Sequence, residues 1–449
     1  LDDQGRYLEA EAIHRDALGF YEDQYDSSVS IERSATVQNN LGLNLSDQGK
    51  YRDALIYLRS AREIDEKFNA KRRYGRSTNN LGITLWKMGR LVEAEQRIRE
   101  SLRIYEEIFG KQHEYTATIM NTLGVVYREQ GRIPQSLNLQ EEALQIVENK
   151  IGPHTRRAYW LRGNLADTYA ATGESSKAEQ LYVSAIDGYE QLFVQGHPQL
   201  GRLLTKYATF LDQLGRSREA ESFHREALKT IREQLSSQHP RVAESLIKAA
   251  GSAFTLGNRQ SAIAHANEAH QILLGALGEN NIRVADVLLL RAKYLLSSGD
   301  VEGAIAAIRV ATATYSKFLS TEPLDDGLEL YRYLDRFRPA FVLHAELITA
   351  RNEKADISIY KESLGVSQLA QVTRASIASR QNSARGAAGE GKDLVRKYQE
   401  LLREKEILLK KRLEVASIPG EGRSDEIKTI ETSLSNLELV LSRYALQVE

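Results

Sequence analysis

Eight glycines recur along the first two thirds of this chain, Gly5, Gly49, Gly89, Gly131, Gly173, Gly215, Gly257 and Gly299, separated by 44, then 40, then five times 42 residues. A period of this length marks a structure built by stacking one supersecondary unit, since a single compact core does not repeat its side-chain requirements so regularly. Five residues after each glycine stand Ala10, Ala54, Ala94, Ser136, Ala178, Ala220, Ala262 and Ala304, and seven further on Ala17, Ala61, Ser101, Ala143, Ala185, Ala227, Ala269 and Ala311. Positions seven apart share one face of a helix, and small side chains there let a neighbouring backbone come close. A third small column precedes the glycine by seven residues: Gly42, Gly82, Gly124, Ala166, Ala208, Ala250 and Ala292. Each unit therefore reads as a helix, a glycine that ends it in the left-handed conformation, and a second helix packed antiparallel on the first.

Composition agrees. A chain of 449 residues exceeds one ordinary core, charged residues make up 27%, and long Leu/Ala/Glu/Arg-rich stretches favour an all-α fold. Sixty basic against sixty-one acidic residues leave a net charge of -1, so no global field draws the chain to nucleic acid or to an anionic membrane, and neither is expected as a partner. The absence of cysteine removes disulfides, thiolate metal sites and cysteine nucleophiles. No apolar run approaches the roughly 18 residues of a membrane span. The cytoplasm is the expected compartment. Residue 1 is a leucine inside a repeat, which suggests a segment excised from a longer polypeptide, its targeting signal unread.

The pattern Leu-Gly, turn glycine, alanine, alanine resembles the tetratricopeptide repeat, and its 42-residue period resembles the kinesin-light-chain-like subclass. The segments GHPQLGR from Gly196 and QHPRVAE from Gln238 are similar to the His-Pro loop of that subclass. The resemblance covers roughly residues 1–320 and implies a right-handed α-solenoid of about eight helix pairs. His113, His154, His197 and His239 recur once per repeat, which suits loop or capping residues better than metal ligands converging on one ion. No catalytic constellation stands out from the repeat, so neither an enzyme nor a cofactor is expected within these residues.

After Tyr315 the rhythm fails, and residues 321–383 read as atypical closing helices. Residues 384–449 read as a linker and an antiparallel helical hairpin. Gly386 to Lys392 approaches a phosphate-binding loop, but Asp393 stands where that motif needs a hydroxyl and no strand precedes it, so a linker is the better reading. The hairpin rests on a heptad seam: Leu394, Leu401, Leu408 and Val415 on one helix, and Ile427, Ile430, Leu434, Leu437, Leu441, Tyr444 and Val448 on the next, as in a coiled coil. The stretch from Ala375 to Leu408, with its small residues, Arg385, Gly-rich break and Leu394-Val395-Arg396, resembles the segment that joins repeats to the catalytic module in bacterial proteins of the CHAT class, which are caspase-like. That resemblance implies a recognition and regulatory region whose catalytic part lies beyond Glu449; a free-standing scaffold or cargo adaptor is the rival reading.

In tetratricopeptide solenoids the first helix of each pair lines the concave wall. Nine and ten residues before the turn glycines this chain carries Asn39, Asn40, Asn79, Asn80, Asn121 and Asn164, a ladder of amides suited to the backbone of an extended peptide. Bonding between neighbouring helices is the alternative use of the same amides. Leu43, Ile83 and Val125 add apolar surface beside them, and Arg76, Arg202, Lys206 and Lys248 make the wall basic. The expected partner is a protein or an extended, acidic peptide.

Overall fold

A computed structural model describes residues 6–22, 28–194, 196–321 and 327–350, with isolated helical positions between 365 and 440. The described residues form helices and no strand. They fall into two compact units, Leu1–Ser298 and Gly299–Glu449.

The first unit opens with α1 (Tyr7–Glu22) and continues through six helix pairs: α2 (Ser28–Asp47) with α3 (Tyr51–Lys67), α4 (Lys71–Lys87) with α5 (Leu91–Phe109), α6 (Glu114–Glu129) with α7 (Ile133–Ile151), α8 (Arg156–Thr172) with α9 (Ser175–Leu192), α10 (Pro198–Gln213) with α11 (Ser217–Gln234) and α12 (Pro240–Thr255) with α13 (Arg259–Leu277). Helix α14 (Ile282–Ser297) closes it. Partners within a pair pack most extensively, and each second helix packs on the first helix of the next pair. This is the α-solenoid that the repeat requires.

The glycine column works as read. Gly49, Gly89, Gly131, Gly173, Gly215 and Gly257 all have φ between +75° and +82°. The next residue's N–H then reaches back to a carbonyl five residues earlier, as in Arg90 to Leu85, Arg132 to Tyr127 and Arg216 to Leu211, which closes the helix end. The small columns lie at the pair contacts: Ala94, Ser136, Ala178, Ala220 and Ala262 are fully buried, as are Ser101, Ala143, Ala185, Ala227 and Ala269. A Cβ on Gly82 would stand 2.5 Å from Ile98 Cγ1, and one on Gly42 2.6 Å from Leu58 Cγ.

The opposite ends of the pairs are closed by a column of N-caps 42 residues apart. His113, His197 and His239 accept through Nδ1 from the N–H two residues on, Thr155 accepts from Ala158 N–H, and Asn281 from Arg283 N–H. A capping side chain satisfies donors that a helix start leaves orphaned. His154 departs from its expected place in this column. The cap there is Thr155, and His154 instead bonds the Tyr159 hydroxyl at 3.0 Å.

In the second unit α15 (Val301–Thr321) packs on α16 (Gly327–Ala350), with the Tyr315 and Phe337 rings stacked at 4.1 Å and Thr312 bonded to His344. Of the seam positions, Leu401 and Ile430 are buried and Leu408 half-buried, while Glu404, Lys411, Thr429 and Ser433 are exposed. The remaining seam positions, the Gly386–Lys392 stretch and most of the CHAT-like segment lie outside the described residues.

Candidate functional site

The first helices of successive pairs touch one another, α2 on α4, α4 on α6, α6 on α8 and α8 on α10 on α12. They converge more closely than the second helices do, so α2 to α12 by even number form the inner wall. Several polar side chains on it bond across repeats. Thr84 reaches Ser46 at 3.2 Å, Lys87 pairs with Asp47 at 2.7 Å, Thr205 meets Ser245 at 3.0 Å, and Ser252 donates to Asp212 at 2.9 Å.

The asparagine ladder divides into two sets. Asn39, Asn80, Asn121 and Asn164 are buried and engaged: Asn80 Nδ2 donates to Asn39 Oδ1 at 3.0 Å, Gln140 donates to Asn121 at 3.5 Å, and Lys206 donates to Asn164 at 2.9 Å. These amides tie helices together. Asn40 is exposed, with only a 3.4 Å approach from Asn39, and Asn79 is half-buried with an enclosed, unpartnered Oδ1. Leu43, Ile83 and Val125 are half-buried beside them.

The cations divide likewise. Lys206 is committed to an ion cluster, whereas Arg76, Arg202 and Lys248 are exposed and meet no carboxylate within ion-pairing distance among the described residues. Arg202 and Lys206 border a small recess of about 20 Å³ with Trp160 and Gln199 on its rim and Tyr159 and Tyr189 below. Larger clefts lie elsewhere, about 630 Å³ along α9 and about 670 Å³ between α5 and α7.

The ion cluster joins three repeats. Asp167 on α8 accepts from Lys206 on α10 at 2.7 Å, from Arg128 on α6 at 3.3 Å and from the Tyr182 hydroxyl at 2.5 Å. Desolvation works to raise the Asp167 carboxyl, but the two cations and the donated hydrogen bonds outweigh it and hold it below the usual carboxylate range. Desolvation lowers the Lys206 ammonium, with Asp167 opposing it, and burial beside Asp167 pushes the Tyr182 phenol well above its ordinary value. Lys206, expected to face a ligand, is instead bound to Asp167, and neither Asp167 nor Arg128 is among the residues expected on the wall. The signal was present, since Asp167 follows Asn164 by three residues on one helical face and Lys206 lies about one repeat further on.

Stacked helix pairs, glycine-closed turns, capped loops and an inner wall knitted across repeats define an α-solenoid of the protein-interaction class. The tetratricopeptide-repeat profile matches residues 74–149, 126–191 and 199–274, and a second profile of the same repeat matches 34–66, together just over half of the chain. The chain belongs to the tetratricopeptide-repeat family. No curated protein matches it. Among solved structures it is similar to BtubC (BKLC) from P. vanneervenii, at 15% identity and TM-score 0.39, covering 59% of this chain and 90% of that one. It is similar to a putative kinesin light chain with nearly identical TPR-like repeats from Podosopora anserina, at 19% identity and TM-score 0.36, covering 44% and 94%. A Rap protein complexed with Competence and Sporulation Factor matches at 14% identity and TM-score 0.45, covering 79% and 99%.

Among the described residues no three His, Asp or Glu side chains group as they would around a metal ion, and no helix is long and apolar enough to cross a membrane.

Proposed function

We propose that the first unit binds an extended, acidic polypeptide along the wall built by α2, α4, α6, α8, α10 and α12. The observation that carries this reading is the contrast among the wall's cations: Lys206 and Arg128 pair with Asp167, and Arg128 also with Glu129, while Arg76, Arg202 and Lys248 stay exposed with no carboxylate partner among the described residues. Asn40 and Asn79 are the amides left to meet a ligand backbone, with Leu43, Ile83 and Val125 offering apolar surface. Asn39, Asn80, Asn121 and Asn164 position the helices that present them. A fluorescein-labelled oligoglutamate titrated against the full chain tests the reading. The Arg76, Arg202, Lys248 to Ser triple variant should bind it on the order of tenfold more weakly, since each exposed ion pair contributes about 0–1 kcal/mol. Equal affinity for wild type and a folded variant would move recognition off this wall.

The CHAT-like stretch from Ala375 to Leu408 supports a finer reading, in which this scaffold is the recognition region of a caspase-like peptidase. The parent reading frame past Glu449 decides it. A strand-rich module carrying a His and a Cys is expected there, and its absence would leave the cargo-adaptor reading of kinesin-light-chain type.

A further inference from the structure

The turns that join first to second helices lie on one edge of the first unit, and the capped loops that join second helices to the next pair lie on the opposite edge. At one place the two edges meet. Asn281 Nδ2 donates to the Gln48 carbonyl, and Arg283 Nη1 donates to the Asp47 carbonyl at 3.0 Å, contacts between residues more than 230 positions apart. Asp47 is the last residue of α2 and Gln48 follows it, so the helix itself leaves both carbonyls unsatisfied, and a guanidinium there also faces the negative end of the helix. Arg283 is held in place by Glu244 at 2.5 Å. Helix α1 packs on α13 beside this contact, and the Tyr7 phenol is pushed up to about 12 by burial and then by Asp47 and Glu244.

The turn glycines show the same contact. Gly89, Gly131, Gly173, Gly215 and Gly257 leave open space where a Cβ would stand, whereas at Gly49 it would lie 3.7 Å from the Asn281 amide and 3.8 Å from Arg283 Cδ. Gln48 is fully buried and Gly49 is buried with it, unlike the other turns. The capping column carries His, Thr, His, His and then Asn281, and the asparagine is a cap with a second hand: Oδ1 holds its own helix start while Nδ2 holds the end of α2.

We infer that Asn281 and Arg283 clasp the α2–α3 turn so that the first unit completes one superhelical turn and closes on itself, and that the inner wall therefore admits an extended polypeptide with a free end rather than a loop anchored at both ends. Closure follows from the pairing of opposite edges: a solenoid can bring them together only by coming full circle and stacking edge on edge. A wall enclosed in this way is reached along its axis or by opening the clasp. This rests on the proposal that the inner wall is the binding surface, and its test separates the two.

Asn281→Asp keeps the capping oxygen and removes only the donor to Gln48, so the helix start survives, and Asn281→Asp/Arg283→Ala removes both bonds of the clasp. The chain has no cysteine, so spin labels can be placed at Asp53→Cys and Glu279→Cys on the full chain. A single narrow distance distribution is expected, which Asn281→Asp/Arg283→Ala broadens toward longer distances; a distribution already broad in the wild type overturns closure, and a narrow one unchanged by that variant overturns the clasp. For the partner class, the probes are a labelled linear oligoglutamate and the same peptide fused at both ends to folded domains. The doubly capped probe should associate on the order of tenfold more slowly with the wild type, because binding then requires opening, and Asn281→Asp/Arg283→Ala should recover the rate. Equal association rates for the two probes on wild type would overturn the inference. If neither probe binds, the acidic-peptide reading falls and with it the partner class, while the spin-label distances still decide closure.

Discussion

The Lys206 ammonium on α10 lies 2.7 Å from the Asp167 carboxylate on α8, and neither group is more than about a quarter exposed. The pair joins neighbouring repeats where backbone hydrogen bonds cannot, because each helix satisfies its own backbone internally. Removing one partner leaves the other charge poorly solvated. We predict that Lys206→Met destabilises the chain by roughly 1–3 kcal/mol, discounted from the cost at a fully buried pair because water still reaches both groups. The Lys206→Met/Asp167→Leu double variant should recover much of the loss. Urea denaturation of the singles and the double gives the coupling, and simple additivity would mean that the pair does not interact.

Gly82 shows why its column must stay small. A methyl group there meets Ile98 Cγ1 at 2.5 Å and the Ala94 carbonyl at 3.3 Å, and Ile98 is fully buried. Gly82→Ala should therefore cost about 1–3 kcal/mol even though alanine is the better helix former. Ile98→Ala removes Cγ1 itself, so its cost should be smaller in the Gly82→Ala chain than in the wild type. An unperturbed melting temperature for the single variant would mean that the α4–α5 contact is looser than these distances require.

Acidification from neutral pH should weaken the first unit through its buried histidines. Burial lowers His224, with its bond to Asp212 at 3.1 Å opposing, and burial likewise lowers His197, His265 and His270, the arginines adding to it at His197 and His270. A histidine with a folded value below its ordinary 6.5 binds its proton more readily when unfolded. The stability it contributes is full above that ordinary value and is lost as pH falls through the lower folded value. Thermal midpoints should fall steadily on acidification from neutral pH, and less steeply in His224→Gln. A midpoint unaffected by pH across the histidine range would contradict the burial of these rings.

The solenoid was legible in the sequence because its requirements are local and repeated. A glycine with positive φ, and a small residue where two helices touch, each allow few residue types, so Gly131 and Ala178 announce their positions without reference to anything distant. The capping column was half legible. Histidines at 113, 197 and 239 were visible by their spacing, but the other two members are Asn281 and Thr155, whose ordinary polarity does not mark it beside His154. The wall was less legible still, because an amide at the correct depth on a helix serves a ligand or a neighbouring helix equally well, and only geometry separates Asn40 from Asn39. The contact of Asn281 with Gln48 could not be read at all. It depends on the sum of small rotations between repeats, which no single column encodes.

The two sets of asparagines should respond to substitution in opposite ways. Asn80 Nδ2 donates to Asn39 Oδ1 at 3.0 Å in a buried setting, so Asn80→Ala orphans an enclosed carbonyl oxygen and should destabilise by about 1–3 kcal/mol. Asn40 is exposed and makes only a weak contact, so Asn40→Ala should leave stability within about 0.5 kcal/mol of wild type. On the proposed wall the order reverses for binding: Asn40→Ala weakens oligoglutamate while Asn80→Ala, measured well below its melting temperature, binds nearly as wild type. Asn79 provides the internal control, since its enclosed Oδ1 already lacks a partner and Asn79→Ala removes that unsatisfied acceptor. That variant should be neutral or slightly stabilising. If instead Asn40→Ala unfolds the chain as readily as Asn80→Ala, the exposed amide is structural, and the ligand surface must be sought among the unpaired cations alone.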